Sequence, residues 1–256
     1  MAVTSILNNV AALGASYELG ITGTGMQDTI QRLTTGKRIN QASDDASGLV
    51  IANGLTADTQ IDSQAQANAN NMLANLQTTD GTLNQATDLL TRAAELAQEA
   101  QGSGLTPAAA SALDAEFQSI STTFNTLVSG TDSTQTTALG SFGTFTVTIA
   151  ATDQLTNNSL TSVSAAASAA AVIATALTSI GTARGDIGAG EESLQSYSNV
   201  LGIQQQNQTA QLSQIQDANV ANEVVNLTKW QILNQSGISA LSKANTAGQS
   251  ILALLQ

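Results

Sequence analysis

Two adjacent carboxylate pairs, Asp44-Asp45 and Glu191-Glu192, have the spacing in this chain that comes nearest to chemistry. Neighbouring acids can ligate a cation or serve as the acid and base of glycoside hydrolysis. No aromatic run lies near Asp44 and Asp45 to build a sugar pocket. With Arg38 close by, that pair reads instead as a helix cap with local charge pairing, or as a contact between copies of the chain. Glu191-Glu192 reads as an exposed helix face. The chain has no His and no Cys, which excludes the usual zinc sites and both Ser-His-Asp and Cys-His catalysis. Composition leaves room only for a carboxylate-only enzyme and implies no cofactor. The sequon Asn157-Asn158-Ser159 adds no chemistry.

The formal net charge of −12 argues against nucleic acid, whose phosphates need a surplus of Lys and Arg, and against an anionic membrane surface. Residues 1–6 have neither a basic nor a continuous apolar segment of the kind that forms a cleaved signal peptide. From Gln154 to Ala183 there is no charge. That stretch is built of Ala, Ser and Thr, weak drivers of insertion, so it reads as a helix packed closely on a neighbour and not as a membrane span. With 3% aromatic residues, a thick core is not expected. Long helices meeting through small residues are.

The elements follow from periodicity. Val3, Ile6, Val10, Leu13 and Tyr17 recur at steps of three and four, and Met26, Ile30 and Leu33 resume the stripe up to Thr35-Gly36. Gly14, Gly20, Gly23 and Gly25 weaken this helix by roughly 1 kcal/mol each relative to Ala, so it needs a partner. A second helix is expected from about Asp45 to Ala100, on the order of 80 Å long. Its seven-residue register is Ala65, Ala69, Met72, Leu76, Thr79, Leu83, Ala86, Leu90, Ala93, Ala97 and Ala100. Thr106 and Pro107 are suited to start a third helix as cap and first residue, burying Leu113, Phe117, Ile120, Phe124 and Leu127. Phe142–Ile149 alternates as a strand and pairs with the Thr136–Ser141 side. A fourth helix carries Ile173, Leu177, Ile180, Arg184, Ile187, Glu191, Leu194, Ser198 and Leu201 in one register. The fifth, from about Ala218 to Leu255, shows Val224, Leu227, Ile238, Leu241, Leu252 and Leu255, widened by Ile232, Leu233, Ile251 and Leu254. The chain goes out and returns, so its ends meet.

Two segments are more specific. Gln31–Asn40, Ser43–Gly48 and Ile51–Asn53 closely resemble the N-terminal signature of bacterial flagellins. Asp217–Leu227, Lys229, Gln231–Leu233, Gln235–Gly237, Leu241, Ala244-Asn245 and Leu252–Leu255 resemble the C-terminal signature. The resemblance covers about residues 1–130 and 170–256. It implies a mainly α fold: a long antiparallel coiled-coil bundle of both chain ends, with a small β-hairpin in the centre. It implies an inner coiled coil of residues 1–44 and 213–256 along a central channel, and an outer bundle of 45–212 with its β element near 136–150 and no large outer domains. The function implied is that of a secreted, non-enzymatic filament subunit, exported through the flagellar type III channel and polymerising with itself. Its termini would order on assembly. By the same resemblance its partners are an export chaperone and the cap and hook-junction proteins. The assembly residues expected are Val3, Ile6, Val10, Leu13, Arg32, Leu33, Arg38, Asn40, Asp44, Asp45, Glu223, Leu227, Ile232, Leu241, Asn245, Leu252 and Leu255. The family links its β element to supercoil switching, here Phe145, Val147 and Ile149.

Leu90–Ala97 resembles the segment read by the vertebrate innate flagellin receptor. Arg92, Glu95 and Leu96 match, and Glu99 stands where activating members carry Gln. The family usually has an Asn-Arg pair near Glu191-Glu192, a departure that touches any lateral contact there. Other axial proteins of the flagellum, such as those of the hook–filament junction, share the layout, but the tail follows the flagellin pattern to Leu255. A secreted helical adhesin is the remaining alternative. A metalloprotease insert, found in some members, is excluded, because the centre spans only about thirty residues and holds no His for the zinc-binding helix.

Overall fold

The computed structural model describes residues 9–129, 133–138, 144–149, 155 and 158–253. They form α1 (Val10–Thr35), α2 (Ala46–Ala100), α3 (Pro107–Ser129), β1 (Ser133–Ala138), β2 (Thr144–Ile149), α4 (Val163–Gln216) and α5 (Val220–Ala253). Val3, Ile6, Leu254 and Leu255 lie outside the described residues. The chain divides into two compact units, residues 1–58 with 208–256, and residues 59–207. Both divisions fall inside α2 and α4 and not at a helix end, whereas the sequence reading draws its lines at 44/45 and 212/213.

In the first unit α1 and α5 pack antiparallel. The Asn9 side chain caps α1 by accepting the Ala12 N–H and donates to the Ala244 carbonyl at 2.9 Å. Leu19 lies against Gly237 and Trp230 against Gly25. The seam interleaves small and polar residues with a few large ones: Ala12, Ala15, Leu19, Thr22, Met26 and Thr29 against Leu227, Trp230, Asn234, Gly237, Leu241 and Ala244. The buried Thr22 and Thr29 hydroxyls donate to Leu19 and Gly25 carbonyls, so neither is unsatisfied. The bulky stripe points elsewhere. Val10, Leu13 and Tyr17 are 64%, 73% and 71% exposed. On α5, Leu227 and Leu241 face α1, but Val224, Ile232 and Ile238 do not. Hydrophobicity alone finds only part of the face here: Met26, Leu227 and Leu241 lie in the seam, but its remaining positions are small residues, which allow two helix axes to come close.

The second unit is held by the residues of α2 and α4 that recur every seven positions. On α2 the buried line is Ala65, Ala69, Met72, Leu76, Leu83, Ala86, Leu90, Ala93, Ala97 and Ala100, as the periodicity indicates. On α4 it is Ala166, Ala169, Ile173, Ala176, Ile180, Ala183, Ile187, Gly190 and Leu194. This corrects the sequence reading: Ala176, Ala183 and Gly190 hold the seam positions given to Leu177, Arg184 and Glu191. A small residue alternating with Ile lets each large side chain fill the gap opposite. Leu177 packs on the flank, and Arg184 forms a two-pronged bond with Asp80 on α2 (2.7 and 3.2 Å) and reaches Asn84. α4 is long and apolar enough to cross a membrane by length and composition, yet its apolar stripe joins the core with α2 and α3.

Thr106 caps α3, accepting the Ala109 N–H through its hydroxyl and the Ala110 N–H through its carbonyl. Phe117 and Phe124 are fully buried, with Leu113, Ile120 and Leu127 at the margin. β1 and β2 pair antiparallel, with Ser133 opposite Ile149 and Ala138 opposite Thr144. The residues joining them lie outside the described part, as do the side chains of Phe145, Val147 and Ile149.

Candidate assembly surface

The signature residues converge where α1 and α5 break. Gly36 ends α1 at φ 70°, in the left-handed region that favours glycine, and returns its N–H to the Arg32 carbonyl. Lys37 and Asp217 form an antiparallel bridge. Arg38 N–H donates to Gln216 O and Ala218 N–H to Gly36 O. The two interruptions are thus stitched to each other by main chain. Asn219 caps α5 through the Asn222 N–H, and the Asn40 side chain donates to Lys37 O.

Around this stitch the charges are paired. Asp44 accepts the N–H groups of Asn40 and Gln41 at 3.0 and 3.1 Å and faces Arg32 at 3.7 Å. Arg32 also faces Glu223 of α5 at 3.8 Å. The backbone donors at Asn40 and Gln41, followed by Arg32, hold the Asp44 carboxyl below its usual range. Asp45 caps α2, accepting the Gly48 N–H at 2.9 Å and the Ser47 hydroxyl at 2.8 Å, and its carboxyl is lowered by those bonds. A side chain at position 48 would collide with Asp45 and Ile39, which is why glycine stands there. The sequence reading gave Arg38 to these acids. Arg32 is the ion-pair partner of Asp44, while the charge of Arg38 helps to lower the Asp45 carboxyl and its guanidinium donates to Ile215 O at 2.8 Å. The antiparallel bridge carries the reason: it sets Arg32 and Glu223 at one level across the helix pair.

The surface left over is apolar. Val10, Leu13, Tyr17, Ile21 and Ile30 on α1, and Val224, Val225, Ile232 and Ile238 on α5, are all exposed. An open groove of about 690 Å³ runs along α1 past Tyr17, Gly20, Ile21 and Asp28 to Trp230. Of the other expected assembly residues, Leu33, Asn40, Leu227 and Leu241 are half-buried and Asn245 is exposed. Leu252 lies on α5 but its side chain is outside the description, and so is Leu255. Among the described residues no group of three His, Cys, Asp or Glu is placed to hold a metal.

On α2, Arg92 bonds Glu116 of α3 at 2.8 Å and Glu95 at 3.0 Å. Glu95 and Glu99 are exposed, whereas Leu96 is only 1% exposed, within the core. The sequence reading missed the Gly25–Trp230 contact and the bridge from Arg184 to Asp80. No periodicity signals either one, because each depends on the register between helices.

Compared with known proteins, residues 6–139 match the family model of the bacterial flagellin N-terminal helical region, and residues 170–255 that of the C-terminal helical region. The chain is 30% identical to the flagellar filament 30.7 kDa core protein of Treponema maltophilum and 33% identical to flagellin FlaB1 of Treponema pallidum. A flagellin of Halalkalibacterium halodurans is 29% identical. Each alignment covers 98% of this chain and 99% of the relative.

Proposed function

Because this chain belongs to the bacterial flagellin family, we propose that it is a structural subunit of the flagellar filament, secreted and polymerised outside the cell into the helical fibre that drives motility. The family is structural and not enzymatic. One observation carries the reading: Val10, Leu13, Tyr17 and Ile21 of α1 and Val224, Val225, Ile232 and Ile238 of α5 are exposed outside the α1–α5 seam. An isolated soluble chain gains nothing from that arrangement, whereas copies packed around an axis bury it. A head-to-tail contact that does not close gives a fibre.

In this reading residues 1–44 with 213–256 form the inner layer and 45–212 the outer one. The β1–β2 hairpin tunes the sliding of subunits between packing states, and replacing Val147 or Ile149 by Asp changes filament waveform. An unchanged waveform and normal swimming would remove that role. Export chaperone, cap and hook-junction proteins are partners through the apolar ends. The innate receptor reads Arg92 and Glu95, with Leu96 supporting the helix from beneath, and Glu99, in place of the Gln of activating members, weakens that contact.

The test of the main reading is seeded polymerisation followed by electron microscopy. Wild-type subunits grow long smooth filaments. The L13D/I232D variant stays soluble, with the helix content of wild-type monomer by circular dichroism. Normal filaments from that variant would overturn the assignment of the assembly face.

A further inference from the structure

The groove along α1 ends on a charge. Tyr17, Ile21, Thr24 and Asp28 line it at steps of four, three and four, with Gly20 and Gly25 between them and Trp230 of α5 beside them. Such spacing puts the four in one row. On α5 the exposed residues Ser236, Ala240, Lys243 and Ala247 recur at the same steps. Lysine is the one long side chain of that second row, and its neighbours are small enough to let another helix come close. Asp28 and Lys243 are both exposed, and among the described residues neither is in an ion pair. The other basic residues are engaged. Arg32, Arg92 and Arg184 are in ion pairs, Arg38 bonds Ile215 O, Lys229 lies over the Trp230 ring at 5.4 Å, and Lys37 stands at the bridge opposite Asp217. Asp28 and Lys243 cannot meet within one copy. Asn9 bonds Ala244 and Gly25 lies against Trp230. Lys243 is therefore level with the start of α1, and Asp28 is about seventeen residues further along, roughly 25 Å away.

We propose that this groove receives the Lys243 side chain of a second copy, whose α5 row lies over the α1 row and sets Lys243 on Asp28. This deepens the filament-subunit reading and rests on it. Charge complementarity names the occupant: the groove offers a free carboxylate, and Lys243 is the free cation that a second copy brings on an exposed helix face. Copies that share one orientation keep α1 of one antiparallel to α5 of the next. The pair then forms when the second copy is displaced by roughly 25 Å along the helices. The lysine stem lies along Ile21 and the glycines while its ammonium reaches the carboxylate. Apolar contact alone sets no axial register between two smooth helix faces; one carboxylate and one ammonium do, because a displaced pair leaves both charges unanswered.

The chain has no Cys, so D28C/K243C carries thiols only at the proposed contact. Wild-type and D28C/K243C subunits are grown from seeds, treated with a short bismaleimide and run on denaturing gels. D28C/K243C filaments give a ladder of covalent multimers, whereas D28C/K243C monomers and E18C/K243C filaments give none; Glu18 is the other acid of α1. D28C/K243C filaments without a ladder, or with no more than E18C/K243C gives, overturn the proposal and leave the filament reading standing. Failure of wild type itself to grow overturns both. If D28C/K243C alone does not grow, charge exchange decides. D28K raises the critical concentration at least tenfold, and D28K/K243D returns it to within threefold of wild type. A double variant as poor as D28K overturns the pair.

Discussion

Gly25 offers a sharp test of how the terminal helices are joined. A Cβ added there would stand 2.8 and 2.9 Å from Trp230 ring carbons, closer than carbon atoms can approach. Gly23, two residues away on the same helix, has nothing within 4 Å. Both substitutions to Ala gain the same helix propensity, about 1 kcal/mol. Only Gly25→Ala meets the indole, and overpacking of that kind costs about 1–3 kcal/mol. Gly23→Ala therefore stabilises by about 1 kcal/mol, and Gly25→Ala ranges from neutral to about 2 kcal/mol destabilising. The difference between the variants isolates the clash. Trp230 is the chain's single tryptophan, so its emission reports undocking of α5 from α1 directly. Assembled filaments titrated with urea should show the Gly25→Ala midpoint well below that of Gly23→Ala, by about 1 M at an m-value near 2 kcal/mol/M. Coincident midpoints would refute the packing of Trp230 on Gly25 and with it the seam register.

Other outcomes follow from the same geometry. Leu83→Ala, at the centre of the α2–α4 seam, should cost about 2–5 kcal/mol, read as a lower thermal midpoint by circular dichroism. Asp44 has a folded pKa below its unfolded value, so its contribution is present above the unfolded value, near pH 4, and lost as pH falls through the folded one. Filaments of Asp44→Asn should be weaker at neutral pH and show a shallower acid transition than wild type; identical acid profiles would count against the Arg32–Asp44–Glu223 arrangement. Residues 59–207 hold twelve acidic side chains against Arg92 and Arg184 alone, and both cations are paired within the chain. Packing copies of this unit side by side is repulsive, so the critical concentration for seeded growth should fall as salt rises toward 0.5 M; a salt-independent value would argue that this unit lies apart from its neighbours.

What the sequence by itself determined is the helical period, the caps and the punctuation. Thr106 and Pro107 start α3, Gly36 stops α1, and Asp45 opens α2, because each acts through bonds to residues within one turn. The α2 seam was legible because Met72, Leu76, Leu83 and Leu90 mark a stripe that alanines continue at the same seven-residue spacing. The two signatures were legible as a family resemblance. What only the tertiary structure decided is which face of a helix meets which neighbour. On α1 and α4 the seam positions that periodicity missed belong mostly to Ala, Gly and Thr, whose weak hydrophobicity gives periodicity little to find. The bulkier Val10, Leu13 and Leu177 drew attention to faces beside the seams. Arg32 with Glu223 and Arg184 with Asp80 join residues far apart in the chain. Such pairs exist only once the antiparallel register is set, since a single helical turn of slip, about 5.4 Å, would separate every one of them.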